Sequence, residues 1–394
     1  MKKIIISLND FRQGGIPRCL HSLLTLIDEN KYQVDIICLD LDGPYHQEIE
    51  SLITPKGGKL LKYNSFVRNI CTFSSTLKRK GVLDQIAIVL SKIIQKGLFR
   101  ILGIDLLELS IKRKAKQLSN KYDVAISYAE GRCSLLVSHT DCVKKLIWIH
   151  NDYKYTTQAG IGTDFQSFNK ICCVSEATRI SFAEKYPQLA DKTVTIYNVI
   201  NHKLIDKLSQ TPTDNIIFSN QQYTIVSIGR ISYQKSFTEI PQIASKLKSC
   251  GCKFQWYIIG DGPEKDKVKA EIERNDLQKT VILLGKQNNP YKYLAKADLF
   301  ALTSVYESYP TVVNEALVLN IPIISNDIPP IYEMIDETQG IIAPINQWDK
   351  ILADIIHTGT IRINRTKIDF EAFNNNVMNK FYELIECDMD ITKS

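Results

Sequence analysis

The sequence lacks the paired cysteines of a structural metal site. Its ten cysteines are scattered over 394 residues, apart from the neighbours Cys172 and Cys173 and the nearby pair Cys250 and Cys252. Zinc sites of the common kind need two closely spaced pairs, such as two C-x-x-C motifs. We therefore expect no bound metal, and reduced cysteines in apolar runs that pack as small hydrophobes.

Long apolar runs and a dominant charge are missing as well. No apolar run reaches the length of a membrane-spanning helix, and the chain turns polar at Ser7, too early for a signal-peptide core. These features predict a cytoplasmic protein, with a peripheral position on the inner face of the cytoplasmic membrane as a further option. The formal net charge is only +6, too small to indicate a nucleic-acid binder by itself.

Short β-forming runs alternate with helical patterns along most of the chain. The first series of runs is Lys3–Leu8, Val34–Leu39, Val124–Ser127, Lys145–Ile149, Ile171–Val174 and Thr193–Tyr197. The second series is Tyr223–Ile228, Phe254–Ile259, Val281–Leu284, Leu299–Leu302, Ile321–Ser325 and Gly340–Ala343. Nearly continuous apolar runs are typical of parallel strands covered on both faces. The pattern predicts an α/β protein with two Rossmann-like, doubly wound parallel-sheet domains facing a central cleft.

A polar stretch separates the two series of strands. It is rich in Asn, Gln, Thr and Ser, has a helical pattern around His202–Leu208 and then loses periodicity, as a linker does. We therefore predict a first domain over residues 1–198, a linker over 199–222 and a second domain over 223–369. Residues 370–394 include a helical pattern. Because open parallel sheets bind ligands beyond the carboxyl ends of their strands, the candidate site residues are sought there.

Two strand ends of the first domain carry candidate residues. Gly14 and Gly15 precede Pro17 at a predicted helix start, so their backbone can approach an anion closely. The alternative is a tight turn without a ligand. His150 follows a buried strand and can donate to a sugar hydroxyl or a phosphate. Its alternative is a histidine satisfied by backbone partners.

The first strand of the second domain is followed by two cations. Arg230 offers a forked set of donors and Lys235 a point charge, which together suit a diphosphate. A solvated surface pair is the alternative. The turn Gly260-Asp261-Gly262-Pro263 after the next strand is interpreted as structural.

A longer polar constellation follows Leu299–Leu302. Pro310 and Thr311 suit a helix start, which places Glu307 just before the helix and Glu315 on its second turn. Backbone N–H groups at such a start can hold a phosphate. Glu307 can accept from sugar hydroxyls, and Glu315 from the two hydroxyls of a ribose. The alternative is a capping carboxylate and an ordinary surface charge.

Together these motifs resemble the retaining glycosyltransferases of family 4, which have the two-domain B-type fold. The second-half motifs are Ile228-Gly229-Arg230 with Lys235, Ile259-Gly260-Asp261-Gly262-Pro263, Ala297-Asp298-Leu299-Phe300, Glu307 with Glu315, and Ile321-Pro322-Ile323-Ile324. The first-half motifs are Gly14-Gly15, Cys173-Val174-Ser175-Glu176 and Ile196-Tyr197-Asn198-Val199. The segments 123–127 and 148–152 look most like bacterial enzymes that build capsule, exopolysaccharide or O-antigen chains.

The resemblance implies a role for each candidate residue. Arg230 and Lys235 would neutralise the diphosphate of a nucleotide sugar, usually a UDP-sugar, and Gly15 would approach it through its backbone. Glu307 would hold the donor sugar and Glu315 the ribose, while His150 would lie close to the anomeric carbon. The remaining donor-binding positions are Lys286 beside the nucleobase and the helix start at Tyr309, Pro310, Thr311 and Val312. Tyr309-Pro310 departs from the glycine that the family often has there.

The implied function is retaining, metal-independent transfer of a hexose or N-acetylhexosamine, without a cofactor, to a glycan or lipid-linked acceptor. The first domain would bind the acceptor and the second the donor, and the C-terminal helix would cross back onto the first domain. Two alternatives are another B-type enzyme, such as a sugar-nucleotide epimerase or a phosphorylase, and a non-enzymatic nucleotide-sugar binder. A third, a nucleic-acid binder suggested by the positive charge, has no RNA or DNA module with interleaved aromatics to support it.

The positive charge is concentrated in residues 78–121. This segment holds eleven basic residues against three acidic ones, interleaved with apolar residues from Val82 to Leu102. A basic amphipathic pattern suits an anionic membrane surface. The alternative is a helix pair packed in the first domain with solvated lysines.

Overall fold

The structure, a computed structural model, describes residues 1–12, 14–72, 80–156, 160, 162–213, 218, 222–359, 361 and 366–386. The chain divides into two compact units. One contains residues 1–199 together with the residues from Asn374 onward, and the other contains Ile200–Phe373. Within the predicted linker 199–222, residues 202–209 form a helix, at the position of the helical pattern, and this helix belongs to the second unit. It packs there because its apolar stripe, including the buried Ile205, needs a partner surface.

The first unit contains a parallel sheet of seven strands, in the order β3-β2-β1-β4-β5-β6-β7. The strands are β1 (Lys2–Asp10), β2 (Tyr32–Asp40), β3 (Leu60–Leu61), β4 (Val124–Ser127), β5 (Lys144–Ile149), β6 (Lys170–Cys173) and β7 (Thr193–Thr195). All except β3 correspond to predicted strands. Because β3 is an edge strand of only two residues, it leaves no recognisable apolar run.

Seven described helices belong to this unit. They are α1 (Gly15–Leu26), α2 (Tyr45–Ile53), α3 (Ser65–Cys71), α4 (Val82–Leu102), α5 (Leu106–Leu118), α6 (Ser134–Ser138) and α7 (Glu176–Lys185). Pro17 lies in the first turn of α1, where a missing N–H costs little. Asn64 and Asp105 cap α3 and α5 by accepting from the backbone N–H groups of Val67 and Glu108.

The second unit contains a parallel sheet of six strands, in the order β10-β9-β8-β11-β12-β13. The strands are β8 (Tyr223–Ile228), β9 (Phe254–Ile259), β10 (Val281–Gly285), β11 (Leu299–Leu302), β12 (Ile323–Ser325) and β13 (Gly340–Ile342). Its helices are α8 (His202–Ser209), α9 (Ile240–Ser249), α10 (Lys265–Arg274), α11 (Tyr291–Leu294), α12 (Thr311–Val318) and α13 (Trp348–Thr358). The order places β8 beside β11, so the polar segments that follow them emerge at the same sheet edge.

Each sheet lies in an apolar core. In the first unit Ile5, Ile37 and Ile147 are fully buried between the sheet and its helices. In the second unit Trp256 and Trp348 fill the corresponding space. The two parallel-sheet α/β units confirm the predicted architecture. No helix among the described ranges is both long and apolar enough to cross a membrane.

The last described helix, α14 (Phe370–Glu386), reaches the first unit. Tyr382 stacks on Tyr32 with ring centroids 5.2 Å apart. Lys144 Nζ donates to the backbone carbonyl of Leu384 at 2.8 Å. These contacts attach α14 to the sheet formed by β1 to β7.

Candidate functional site

The candidate site of the second unit begins with a buried ion pair. Lys235 follows β8, Glu307 follows β11, and the Lys235 ammonium group contacts Glu307 Oε1. The two side chains are only 14% and 8% exposed. Removing one partner would leave an uncompensated buried charge, which typically costs about 3–5 kcal/mol. The two predicted site residues therefore lie together, and each compensates the buried charge of the other.

Two further side chains fix the Glu307 carboxylate. Ser304 Oγ donates to Oε1 at 2.7 Å, and Gln234 Nε2 donates to Oε2 at 3.3 Å. Neither residue was assigned a role from the sequence. Their signal was position alone, because each lies in the polar segment that follows a predicted strand.

Backbone contacts tie the segment of Lys235 to the segment of Glu307. Thr303 Oγ1 donates to the carbonyl of Lys235 at 2.6 Å, and the N–H of Val305 donates to the carbonyl of Gln234 at 2.9 Å. Because β8 and β11 are neighbours, their following segments can exchange such hydrogen bonds. These hydrogen bonds therefore brace the two segments that carry the ion pair against each other.

Two backbone positions support Lys235. A Cβ atom at Gly229 would lie 3.1 Å from Lys235 Cε and 3.2 Å from Cδ, so the glycine leaves room for the lysine stem. Ser236 has a φ of 50°, in the left-handed region that residues with a Cβ atom rarely adopt. Both positions constrain the loop between β8 and α9.

Arg230 and Lys286 are placed differently from Lys235. Both side chains are exposed, and within the described residues neither forms an ion pair. Arg230 follows β8 and Lys286 follows β10, two strands further along the sheet edge. Their charges are thus available to a ligand at this edge, whereas the charge of Lys235 is already compensated by Glu307.

The start of α12 has no capping and no acidic side chain. Its N-cap residue is Pro310, which provides no side-chain cap, and the first turn contains no acidic residue. Backbone N–H groups at a helix start carry partial positive charge. Tyr309 is 8% exposed, and its hydroxyl accepts from Asn314 Nδ2 at 3.1 Å, which fixes the ring beside that start.

Glu315 lies deeper than a ribose contact would require. The residue is 0% exposed, and every residue of α12 from Val312 to Val318 is buried. In this conformation Glu315 presents no surface to a ligand, so its role in ribose binding remains a prediction. The sequence could not reveal this burial, which comes from packing on both sides of a short helix.

The turn after β9 fits its structural interpretation. A Cβ atom at Gly260 would lie 1.8 Å from the carbonyl oxygen of Gly229, and one at Gly262 would lie 2.2 Å from that of Ile231. Only glycine allows the backbone after β9 to approach the backbone after β8 so closely.

In the first unit, the glycine pair has different surroundings. Cβ atoms at Gly14 and Gly15 would meet no described atom within 4 Å. Packing within the described chain therefore does not demand glycine at these two positions. Gly15 is the first residue of α1, where backbone N–H groups face outward.

His150 lies at the carboxyl end of β5 with a neutral ring. Burial lowers the pKa of the imidazole to about 4, although a hydrogen bond to the backbone carbonyl of Tyr128 opposes this shift. The ring packs on Tyr128 with centroids 5.4 Å apart. Its Nε2 atom is buried and has no hydrogen-bond partner among the described residues. Because the other ring nitrogen donates to the Tyr128 carbonyl, the Nε2 atom of the neutral ring can accept one hydrogen bond.

Sequence reasoning missed Glu130 beneath this loop. The residue is 6% exposed, and its Oε1 atom accepts from the backbone N–H groups of His150 and Asn151 at 3.1 and 3.2 Å. The only available signal was its position directly after β4, next to β5. Among the described residues, no cluster of three His, Cys, Asp or Glu side chains could hold a metal ion.

The part of the chain that holds the ion pair is similar to a known protein family. Residues 212–369 match the family described as Glycosyl transferases group 1. The matched range contains β8 to β13 and the ion pair of Lys235 and Glu307.

Three curated relatives are named glycosyltransferases or glycan-building enzymes. An uncharacterized glycosyltransferase of Methanocaldococcus jannaschii is 28% identical over 47% of this chain and 48% of its own length. The N-acetylgalactosamine-N,N'-diacetylbacillosaminyl-diphospho-undecaprenol 4-alpha-N-acetylgalactosaminyltransferase of Campylobacter jejuni is 31% identical over 34% of this chain. The amylovoran biosynthesis glycosyltransferase AmsD of Erwinia amylovora is 22% identical over 83% of this chain and 81% of its own length. The chain spans about half of the archaeal relative and 35% of the Campylobacter enzyme.

Solved structures match nearly the whole chain at low identity. HepE of Anabaena in complex with UDP covers 98% of this chain and all of its own, with 16% identity and a TM-score of 0.67. The lipopolysaccharide outer core galactosyltransferase WaaB in its apo form covers 96% of this chain and 99% of its own, with 17% identity and a TM-score of 0.61. These matches confirm the predicted B-type glycosyltransferase fold.

Proposed function

We propose that this chain is a retaining, metal-independent glycosyltransferase. It transfers a hexose or N-acetylhexosamine from a UDP-sugar to a hydroxyl of a lipid-linked glycan in bacterial surface polysaccharide biosynthesis, such as capsule or exopolysaccharide. The group 1 domain and the names of the relatives support the transferase class. The single observation that carries the proposal is the braced cluster of Lys235 and Glu307 at the carboxyl ends of β8 and β11.

In this proposal the second unit binds the donor. Arg230 contacts the diphosphate with its exposed guanidinium group, and the first N–H groups of α12 add partial positive charge. Lys235 has three donors on its ammonium group, so it can keep its contact with Glu307 and donate to a phosphate oxygen as well. Glu307 holds a hydroxyl of the donor sugar through the carboxylate oxygen that faces Gln234. Lys286 lines the nucleobase.

The chemistry follows from these charges. When the bond between the anomeric carbon and the diphosphate breaks, negative charge grows on the leaving oxygen. Arg230 and Lys235 stabilise that charge in positions fixed before the reaction begins. The acceptor hydroxyl attacks from the face that the diphosphate leaves, and the departing phosphate oxygen takes its proton, so the product keeps the configuration of the donor.

The first unit binds the acceptor and contributes two groups. His150 offers its Nε2 atom to a sugar hydroxyl, and the ring stays neutral at physiological pH because burial lowers its pKa to about 4. Gly15 brings backbone N–H groups to the diphosphate without a side chain in the way.

A lipid-linked acceptor fits the exposed face of α4. Although α4 belongs to the first unit, only Ile88 and Ser91 among its 21 residues are buried. The remaining surface contains large apolar side chains that are 43–83% exposed: Val82, Leu83, Ile86, Val89, Leu90, Ile93, Ile94, Phe99, Ile101 and Leu102. A helix that leaves such a face uncovered is typical of a protein that rests on a membrane surface.

Cations flank this apolar face. Lys96 and Arg100 follow Lys92 at intervals of four residues, on one side of α4. Lys92 donates to the carbonyl of Thr72 at 2.6 Å, whereas Lys96 and Arg100 form no ion pair among the described residues. Lys78 and Arg79 of the predicted basic segment lie outside the described residues. We place the contact with anionic lipid headgroups at Lys96 and Arg100.

The proposal is tested by a transfer assay with radiolabelled nucleotide sugars and lipid-linked acceptors, in the presence of EDTA. Wild type should transfer label from a UDP-sugar, and NMR of the product should show the anomeric configuration of the donor. Lys253→Ala is the matched control for substitution of the site cation Arg230. Lys253 is also an exposed cation, but it lies at the opposite, amino end of the sheet, before β9. Donor turnover without a glycosidic product, or an inverted product, would contradict the proposal.

A further inference from the structure

Glu130 is a buried carboxylate without a cation. It follows β4, it is 6% exposed, and no described lysine, arginine or histidine forms an ion pair with it. Taking a carboxylate out of water is costly unless hydrogen bonds or charges compensate it. The groups that donate hydrogen bonds to this carboxylate therefore explain why an acid occupies the position.

The carboxylate holds the loop that carries His150. Its Oε1 atom accepts from the backbone N–H groups of His150 at 3.1 Å and of Asn151 at 3.2 Å. These are the first two residues after β5. Two N–H groups that converge on one oxygen fix the direction in which the chain leaves the strand, and therefore the direction of the His150 side chain.

A second set of contacts anchors Glu130 itself. Asn9 Nδ2 donates to the carbonyl of Glu130 at 3.0 Å, and the N–H of Cys133 donates to Asn9 Oδ1 at 3.0 Å. Asn9 belongs to β1, Glu130 follows β4, and His150 follows β5, and these three strands are neighbours in the sheet. One side-chain network therefore joins the carboxyl ends of three adjacent strands.

We propose that Glu130 is a positioning residue that orients His150 for the reaction through the N–H groups of His150 and Asn151. This inference rests on the proposed function, in which the free Nε2 atom of His150 contacts the reacting sugar. Glu130 touches neither substrate nor leaving group. Its effect is on the geometry of the His150 ring, which the tilted contact with the Tyr128 ring, at 5.4 Å between centroids, also fixes.

The charge state of Glu130 gives this role a pH dependence. Burial raises the pKa of Glu130 to about 7, although the hydrogen bonds from the His150 and Asn151 backbone oppose the shift. The titratable groups that face it are Cys133, Tyr153 and Cys173. Burial raises the pKa of each of them, so all three are neutral around pH 7. A thiol or phenol cannot carry a positive charge, so none of them compensates the Glu130 carboxylate.

Protonation of Glu130 weakens its hold on the loop. A neutral carboxyl group accepts hydrogen bonds less strongly than a carboxylate. Turnover should therefore fall as the pH drops through about 7, although His150 itself stays neutral down to about pH 4. The acid limb of the kcat profile then belongs to Glu130 and is absent from Glu130→Gln, which keeps an acceptor oxygen but does not titrate.

The test combines kinetics with histidine NMR on the full chain, using wild type, Glu130→Gln, Glu130→Ala and the control Glu184→Gln at an exposed position of α7. In Glu130→Ala, kcat should fall 10- to 100-fold with little change in the KM for the nucleotide sugar. Glu130→Gln is a neutral acceptor like the protonated carboxyl group, so it should lose the acid limb and keep, at every pH, a reduced kcat near that of wild type below about pH 7. The ring signal of His150, assigned with His150→Asn, should shift in the Ala variant and less in the Gln variant.

The NMR arm separates the two proposals. If wild type turns over no nucleotide sugar, the proposed function fails, while the His150 signal still reports whether Glu130 orients the ring. An unchanged His150 signal in Glu130→Ala, or an acid limb that persists in Glu130→Gln, would overturn the positioning role. If Glu130→Ala does not fold, the profile of Glu130→Gln decides.

Discussion

Lys235 and Glu307 pair with each other at the carboxyl ends of β8 and β11, where each was expected to meet a different part of the donor. The pair is nearly buried, so it fixes the segments after β8 and β11 relative to each other without a ligand. A site built in this way binds a charged donor with little rearrangement, because the cation and the carboxylate already hold each other in place.

Breaking this pair should cost both stability and activity. Lys235→Met and Glu307→Gln each leave one charged partner without its counterpart, so each should lower the free energy of unfolding by about 3–5 kcal/mol. The double variant should lose less than the sum, because no unpaired charge remains. Thermal and urea unfolding of the four proteins measure this coupling. Strictly additive losses would show that the pair does not act as a unit.

Arg230 should affect donor binding without affecting stability. Its side chain is exposed and forms no ion pair among the described residues, so Arg230→Ala should change stability by less than about 0.5 kcal/mol. Losing one charge-assisted contact with the diphosphate, worth about 1.5–3 kcal/mol, should raise the KM for the donor 10- to 100-fold. Steady-state kinetics measure this change. If Arg230→Ala and the control Lys253→Ala had the same KM for the donor, Arg230 would not be a donor-binding residue.

Ser236 should tolerate glycine and reject a β-branched residue. Its φ of 50° costs a residue with Cβ about 1–2 kcal/mol, which glycine avoids. We expect Ser236→Gly to be neutral within about 1 kcal/mol, because relief of strain offsets the larger entropy of the unfolded chain. Ser236→Val should be destabilised, as measured by urea unfolding. Equal stability of the two variants would contradict the left-handed conformation.

His150 should make the protein less stable at acidic pH. Its folded pKa of about 4 lies below the ordinary value of 6.5, so the unfolded chain binds the proton more readily between these values. Stability from this group is complete above about pH 6.5 and is lost as the pH falls towards 4. Unfolding of wild type and His150→Gln across this range isolates the effect, since Glu130 titrates in both. Parallel curves would contradict a buried, neutral imidazole.

The exposed face of α4 should bind anionic vesicles. Ile86→Gln with Ile93→Gln removes apolar side chains that are 50% and 59% exposed, so binding should weaken while the fold is kept. Lys96→Gln with Arg100→Gln should weaken binding about 30-fold at low salt, at about 1 kcal/mol for each charge. Vesicle co-sedimentation measures both changes. The control is Ile180→Gln, at an isoleucine that is 47% exposed on α7. No binding of wild type at low salt would end the membrane proposal.

The sequence predicted the sheets well because their strands are continuous apolar runs. It also located Lys235 and Glu307 at strand ends. It could not predict that they pair with each other, since this depends on β8 lying beside β11, and strand order is not encoded locally. The burial of Glu315 and the hydrogen bonds of Glu130 to the His150 loop could not be predicted for a related reason. Both arise from packing between segments far apart in the chain.

The most direct test of the account is calorimetric binding of nucleoside diphosphates to wild type, Arg230→Ala and Lys253→Ala. UDP, GDP, ADP and dTDP are titrated into each protein with EDTA present. The account predicts that UDP binds wild type and Lys253→Ala equally and binds Arg230→Ala at least 10-fold more weakly. No binding of any diphosphate, or equal affinity of all three proteins for UDP, would contradict a donor site at the carboxyl ends of β8 and β11.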